Sequence, residues 1–177
     1  RSPLGGALQA DSYSDPEDAS GYSAHDILSL GFKKSPTHAA LLQNTISIDD
    51  VDPSAYSAVF LTGGQSPMYT FRGNTKLEGV VARFYDAGKV TALVCHATCL
   101  LLDVKRSNGD LLVKGKTWTG FANSEEEFAD NFVGKRNQTR ISVSNCYLMP
   151  NYAEQLHIIN PIAHANHLSR LQAVAVV

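Results

Sequence analysis

Apolar residues in the middle of this chain alternate between two rhythms. "SAYSAVFLTGG" holds an unbroken apolar run, Ala58 to Leu61, closed by Gly63-Gly64. Runs of this kind mark strands buried on both faces, which belong to parallel sheets covered by helices. From Thr75 to Ala87 the spacing changes to three and four, through Leu77, Val80, Val81 and Phe84, and Gly88 stands where a helix stops. "KVTALV" returns to the strand rhythm, and "CHATCLLLDV" reads as the helix after it. Strand, helix, strand, helix implies right-handed βαβ units, and so an α/β fold arranged as a three-layer α/β/α sandwich with a mostly parallel sheet.

The flanks are less regular. Residues 1 to about 25 cluster Gly, Ser, Asp and Pro and read as loop. "HDILSLGFKKSPTHAALLQN" offers short helical pieces, with Ser35-Pro36 a natural helix start. Asn108-Gly109 is a turn dipeptide between "DVKRS" and "DLLVKGKTWTGF", which predicts a β-hairpin or a pair of extended segments. "NSEEEFADNF" reads as a helix with Ser124 as N-cap and Glu127 as its capping-box partner. Towards the end, residues 141–148 and 171–177 are strand-like and 162–172 suggest a helical piece, so the alternation does not continue cleanly.

Composition narrows the function. The chain has 177 residues, enough for a single domain over 1–177 with a real core. Charged residues make up 18% and the formal net charge is -2, without the basic face that a nucleic-acid binder shows. No apolar run approaches the roughly 20 residues of a membrane span. Cys95, Cys99 and Cys146 cannot all pair and form no Cys-x-x-Cys, which points to a reducing compartment and away from a structural zinc site. His157, His164 and His167 find no carboxylate or cysteine at a metal-binding spacing.

The chemistry centres on Cys95. A cysteine at the sharp turn after a buried strand stands at the carboxyl edge of the sheet, where ligands bind. A following helix favours thiolate over thiol through its free N–H groups, and the amide of His96 can receive an oxyanion. The "TGGQSP" turn, with Gly63 and Gly64, supplies a second donor at a neighbouring strand end. His96 itself is the usual type of base for a cysteine nucleophile. The alternative is a buried core thiol, since free cysteine is among the most buried residues. Cys99, within an apolar stretch, reads as core. Glu125, Glu126 and Glu127 supply candidate acids, or serve only the dipole of a first helical turn. Trp118 and Tyr69 fit either a cleft or the core.

In order, "AVFLTGGQSPMYTF", "FYDAGKVTALVCHATCLLL" and "LLVKGKTWTGFANSEEE" resemble the ThiJ/PfpI superfamily, which shares the flavodoxin-like fold of the class I glutamine amidotransferases. The nearest branch is the Hsp31-type chaperone and glyoxalase III group. "SPLGG" resembles the close of the family's second strand, so the likeness spans residues 2 to 136. It implies that Cys95 is the nucleophile, His96 the histidine that follows it, and Glu126 the acidic third member with Glu125 as fallback. Gly64, after Gly63, matches the oxyanion turn, with the His96 amide as its partner. The implied activity is glutathione-independent conversion of methylglyoxal-like aldehydes to lactate, of the glyoxalase III, D-lactate dehydratase or deglycase type. No metal or other cofactor is implied. The setting implied is cytoplasmic and stress-related, with homodimers common.

Two departures accompany the resemblance. The family opens with a strand, a helix and a strand carrying a glutamate that hydrogen-bonds the cysteine, whereas this chain opens at "RSPLGG" and reads as lacking them. Residues 137–177 show no counterpart of the family's closing elements. The alternatives are a holdase chaperone binding misfolded protein clients and a catalytically degenerate form of the same fold. Amidotransferase or peptidase chemistry fits less well, because none of the three late histidines is followed by the His-x-Glu pattern.

Overall fold

A computed structural model describes residues 4–12, 14–64 and 66–116, together with the backbone of two strands at 157–158 and 173–176. Trp118, the helix expected around Ser124–Glu127, the strand-like 141–148 and the helical piece at 162–172 lie outside the described residues. The chain forms two compact units, Arg1–Val51 and Asp52–Val177.

The first unit holds the short helices that its sequence predicts, α1 (Ile27–Lys34) and α2 (Pro36–Gln43). Asp26 caps α1, its carboxylate accepting the amides of Leu28 and Ser29 at 3.1 and 3.0 Å. Ser35 closes α1 and caps α2, where Pro36 takes the first helical position, whose N–H has no helical partner. The segment read as the end of a strand forms a single antiparallel bridge instead, Gly6 to Thr45, with paired N–H···O contacts of 2.7 and 2.9 Å.

The second unit is built on a four-stranded sheet. Strand β1 (Ala58–Leu61) pairs in parallel with β2 (Val90–Leu93), in the register Ala58–Val90 to Leu61–Leu93. These are the two strands that the sequence predicts, and Val59, Leu61 and Leu93 are fully buried. Between the strands lie α3 (Pro67–Thr70) and α4 (Thr75–Asp86). Leu77, Val80, Val81 and Phe84 of α4 are all buried, which is the stripe that the three-and-four spacing predicts. On the other side of β1, β4 (Ala173–Val176) pairs in parallel, while β3 (His157–Ile158) pairs antiparallel with β2. The order β3-β2-β1-β4 therefore places β1 inside the sheet. The fold is α/β with a mostly parallel sheet, as expected.

Helix α4 ends where the sequence says it should. The N–H of Gly88 reaches the Tyr85 carbonyl at 3.0 Å and that of Lys89 reaches the Phe84 carbonyl at 3.0 Å, the paired closure of a Schellman motif. The turn needs a positive φ, and Gly88 has φ +70°. An added Cβ would meet nothing within 4 Å, so strain alone sets the cost of a side chain. Gly88→Ala is expected to destabilise the chain by about 1 kcal/mol in denaturant unfolding. An unchanged midpoint would mean that the helix ends differently in solution.

The predicted hairpin around Asn108-Gly109 is reduced to one antiparallel bridge, Lys105 to Leu111. The turn itself forms, with Gly109 at φ +86° and its N–H on the Arg106 carbonyl at 2.9 Å. Beyond Leu111, the carbonyls of Leu111 and Val113 accept local turn bonds from Lys114 and Lys116, at 3.0 and 2.9 Å, instead of continuing a ladder.

Candidate active site

The register of β1 and β2 builds the site. Leu61 lies beside Leu93, and the Val94 N–H continues the ladder to the Leu61 carbonyl at 3.2 Å. Two residues beyond Leu61 is Gly63, and two beyond Leu93 is Cys95. The parallel strands thus deliver the glycine turn and the cysteine side by side at their carboxyl ends. The approach is close. A Cβ on Gly63 would sit 2.5 Å from the Cys95 Cβ, 2.9 Å from the Val94 carbonyl oxygen and 3.4 Å from the Cys95 sulfur.

Cys95 has φ +53°, and among the described residues it is the one non-glycine with a positive φ. A side chain in that region costs on the order of 1–2 kcal/mol and persists only where the surroundings enforce it. Such strain marks the sharp strand-to-helix turn that holds a nucleophile out at the end of a sheet. Cys95 is half-buried and, among the described residues, in no disulfide.

Its sulfur meets three groups. The His96 ring Nδ1 is 3.4 Å away, as proton acceptor from the thiol or, when protonated, as donor to the thiolate. The backbone N–H groups of His96 and Gly64 also favour its thiolate form. Burial pushes the Cys95 thiol up, but the His96 side-chain contact, the His96 charge and the two backbone donors outweigh it, so the thiol ionises below its ordinary range. His96 is itself buried.

The element after Cys95 corrects one expectation. Cys95–Leu102 is a 3₁₀ helix over its whole length, not an α-helix. Its first bond runs from the Ala97 N–H to the Val94 carbonyl at 3.1 Å. The Thr98 hydroxyl donates to the Cys95 carbonyl at 2.7 Å, occupying the acceptor that an α-helix would offer to the amide of residue 99. Cys99 is buried, as read, and its thiol donates to the Pro67 carbonyl at 3.6 Å, which ties the 3₁₀ helix to α3 just past the glycine turn. Just past the ends of the same two elements, Arg72 and Asp103 form an ion pair at 3.2 Å.

Four of the five predicted site residues therefore come together: Cys95, His96, Gly63 and Gly64. Glu126, with Glu125 and Glu127, lies outside the described residues. Tyr69 is exposed. Among the described residues no group of three His, Cys, Asp or Glu side chains is placed to hold a metal, and no helix is long and apolar enough to cross a membrane. The sequence reading overlooked Thr98. Its signal was a hydroxyl three residues beyond the cysteine, the reach of a side chain bonding back to a carbonyl.

Comparison with known proteins supplies the family and the fold. A model of the DJ-1/PfpI family matches residues 33–143, more than half of the chain. The probable glutathione-independent glyoxalase hsp3104 of Schizosaccharomyces pombe is 36% identical over 86 residues, a stretch covering 49% of this chain and 39% of that protein. Protein/nucleic acid deglycase 2 of Escherichia coli is 34% identical over 70 residues, 40% of each chain. The chain thus spans about two fifths of the length of these curated relatives. Among solved structures, the Rapid Encystment Protein 24 kDa of Francisella tularensis superposes with a TM-score of 0.60 over 80% of this chain and 64% of that one, at 23% identity, a likeness of fold.

Proposed function

Because the chain belongs to the DJ-1/PfpI family, we propose that it is a cysteine-dependent, glutathione-independent glyoxalase or deglycase acting on small reactive aldehydes of the methylglyoxal type. The observation that carries this reading is one sulfur facing the His96 nitrogen at 3.4 Å and two backbone N–H donors. That arrangement suits attack on a carbonyl: a thiolate, a proton holder and an oxyanion cradle.

In the proposed reaction the Cys95 thiolate adds to the aldehyde carbon. A C–S bond forms and the carbonyl π pair moves to oxygen, where the Gly64 and His96 amides receive it. His96 holds the proton given up by the thiol and returns it to that oxygen, leaving a hemithioacetal. Loss of the protons on carbon 1 and on its oxygen, with gain of one at carbon 2 and one at the oxygen of carbon 2, moves the carbonyl to carbon 1, as a 2-hydroxyacyl thioester. Water cleaves the C–S bond, releasing lactate and the thiol. The sum is 2-oxoaldehyde plus water to 2-hydroxy acid, with no outside oxidant or reductant and neither metal nor glutathione in the scheme. Glu126 is the proposed carboxylate for the carbon-bound proton, on family resemblance, with Glu125 next. A cytoplasmic, stress-related role belongs to the same reading.

The test is lactate production from methylglyoxal by the purified chain across pH. The thiolate is the reactive form, and its ionisation lies below the ordinary range. kcat/KM is therefore expected to rise with pH as the thiol ionises and to level off below the roughly 8.5 midpoint of a free cysteine. No lactate, or a rise only at or above that midpoint, would overturn the proposal.

A further inference from the structure

We infer that Thr98 is a positioning residue, one that pins the peptide plane between Cys95 and His96 and so aims the His96 N–H at the Cys95 sulfur. The inference rests on the proposed role of Cys95 and concerns what holds that residue in place.

The geometry is that of a single rigid plane. The Cys95 carbonyl and the His96 N–H belong to one trans peptide and point in opposite directions. The Thr98 hydroxyl donates to that carbonyl at 2.7 Å, and the His96 N–H, on the opposite edge, is one of the groups that favour the Cys95 thiolate. Rotating the plane breaks the Thr98 contact and turns the His96 N–H with it. Thr98 opposes this from a fully buried position, where a lost hydrogen bond is not replaced by water. The contact also polarises the peptide, which strengthens the N–H on its far side as a donor. A threonine is suited to the task, since its β-branch leaves few χ1 positions and the hydroxyl sits where the carbonyl needs it.

The experiment compares wild type, Thr98→Val and Thr98→Ser. It follows iodoacetamide alkylation of Cys95 across pH, read on the Cys95 peptide by mass spectrometry, together with kcat and KM for lactate formation. Thr98→Val keeps the shape and removes the donor. It is expected to move Cys95 ionisation to higher pH, to slow alkylation at neutral pH about tenfold, and to lower kcat with little change in KM. Thr98→Ser keeps the hydroxyl and is expected to restore most of the wild-type profile. If Thr98→Val does not fold, Thr98→Ala carries the same comparison. Wild-type thiol ionisation in the hydroxyl-free variant, or a serine variant as impaired as valine, would overturn the inference. Alkylation needs no substrate. A chain that makes no lactate yet shows the alkylation shift fails the proposed function and keeps the role of Thr98, and the converse result separates them the other way.

Discussion

Cys95→Ala and Cys95→Gly should both fall to background lactate production, a loss of at least about a thousandfold, while the order of their stabilities runs against the usual rule. The activity half follows from chemistry. Without the sulfur, nothing else at this turn forms the bond to the aldehyde, and His96 alone only moves protons. The stability half follows from backbone geometry. At an ordinary position glycine is less stable than alanine by about 0.5–1 kcal/mol, because it loses more freedom on folding. Cys95 has φ +53°, where a Cβ is strained and glycine is not. The glycine variant should therefore match or exceed the alanine variant, by up to about 1 kcal/mol in denaturant unfolding. Residual activity in both variants would remove Cys95 from the chemistry. An alanine variant clearly more stable than glycine would show that the turn relaxes to negative φ in solution.

This coupling of strain and reactivity is what the amino-acid sequence conveys only in part. The strands around Ala58–Leu61 and Val90–Leu93 and the helix from Thr75 are legible because buried strands and amphipathic helices leave period-specific patterns of apolar residues. The cysteine after a buried strand and the paired glycines are legible as candidates for the same reason. Whether they meet is not a local property. It depends on the parallel register that sets Leu61 beside Leu93, and register is fixed by packing across the sheet. The same limit hid the partner of the strand-like tail: "AVAV" announces a strand, but nothing near it says that it lies along β1. The 3₁₀ geometry after Cys95 was missed for a different reason. The apolar spacing of "CHATCLLL" suits an α-helix, and one hydroxyl bond from Thr98 competes for the first carbonyl.

Gly63→Ala tests the register at its point of closest approach. The added methyl would lie 2.5 Å from the Cys95 Cβ and 2.9 Å from the Val94 carbonyl oxygen, both closer than carbon tolerates. Neither neighbour is the free end of a flexible side chain. The Val94 backbone is bonded to Leu61 at 3.2 Å, and the Cys95 Cβ is fixed by the backbone that carries it. The ends of β1 and β2 must part, or the Cys95 turn must move. Overpacking of this kind costs about 1–3 kcal/mol. A displacement near 1 Å at the reacting atom costs on the order of a hundredfold in rate, and the same shift takes the sulfur off the Gly64 and His96 amides. Gly64→Ala is the comparison. Its Cβ would meet nothing within 4 Å, so only the strain of φ +92° applies and no atom presses on Cys95. The expected order in both lactate formation and Cys95 alkylation is wild type, then Gly64→Ala, then Gly63→Ala. A Gly63→Ala chain with wild-type alkylation would mean that the two strand ends stand further apart than this register brings them, and the amide cradle would then have to be sought elsewhere.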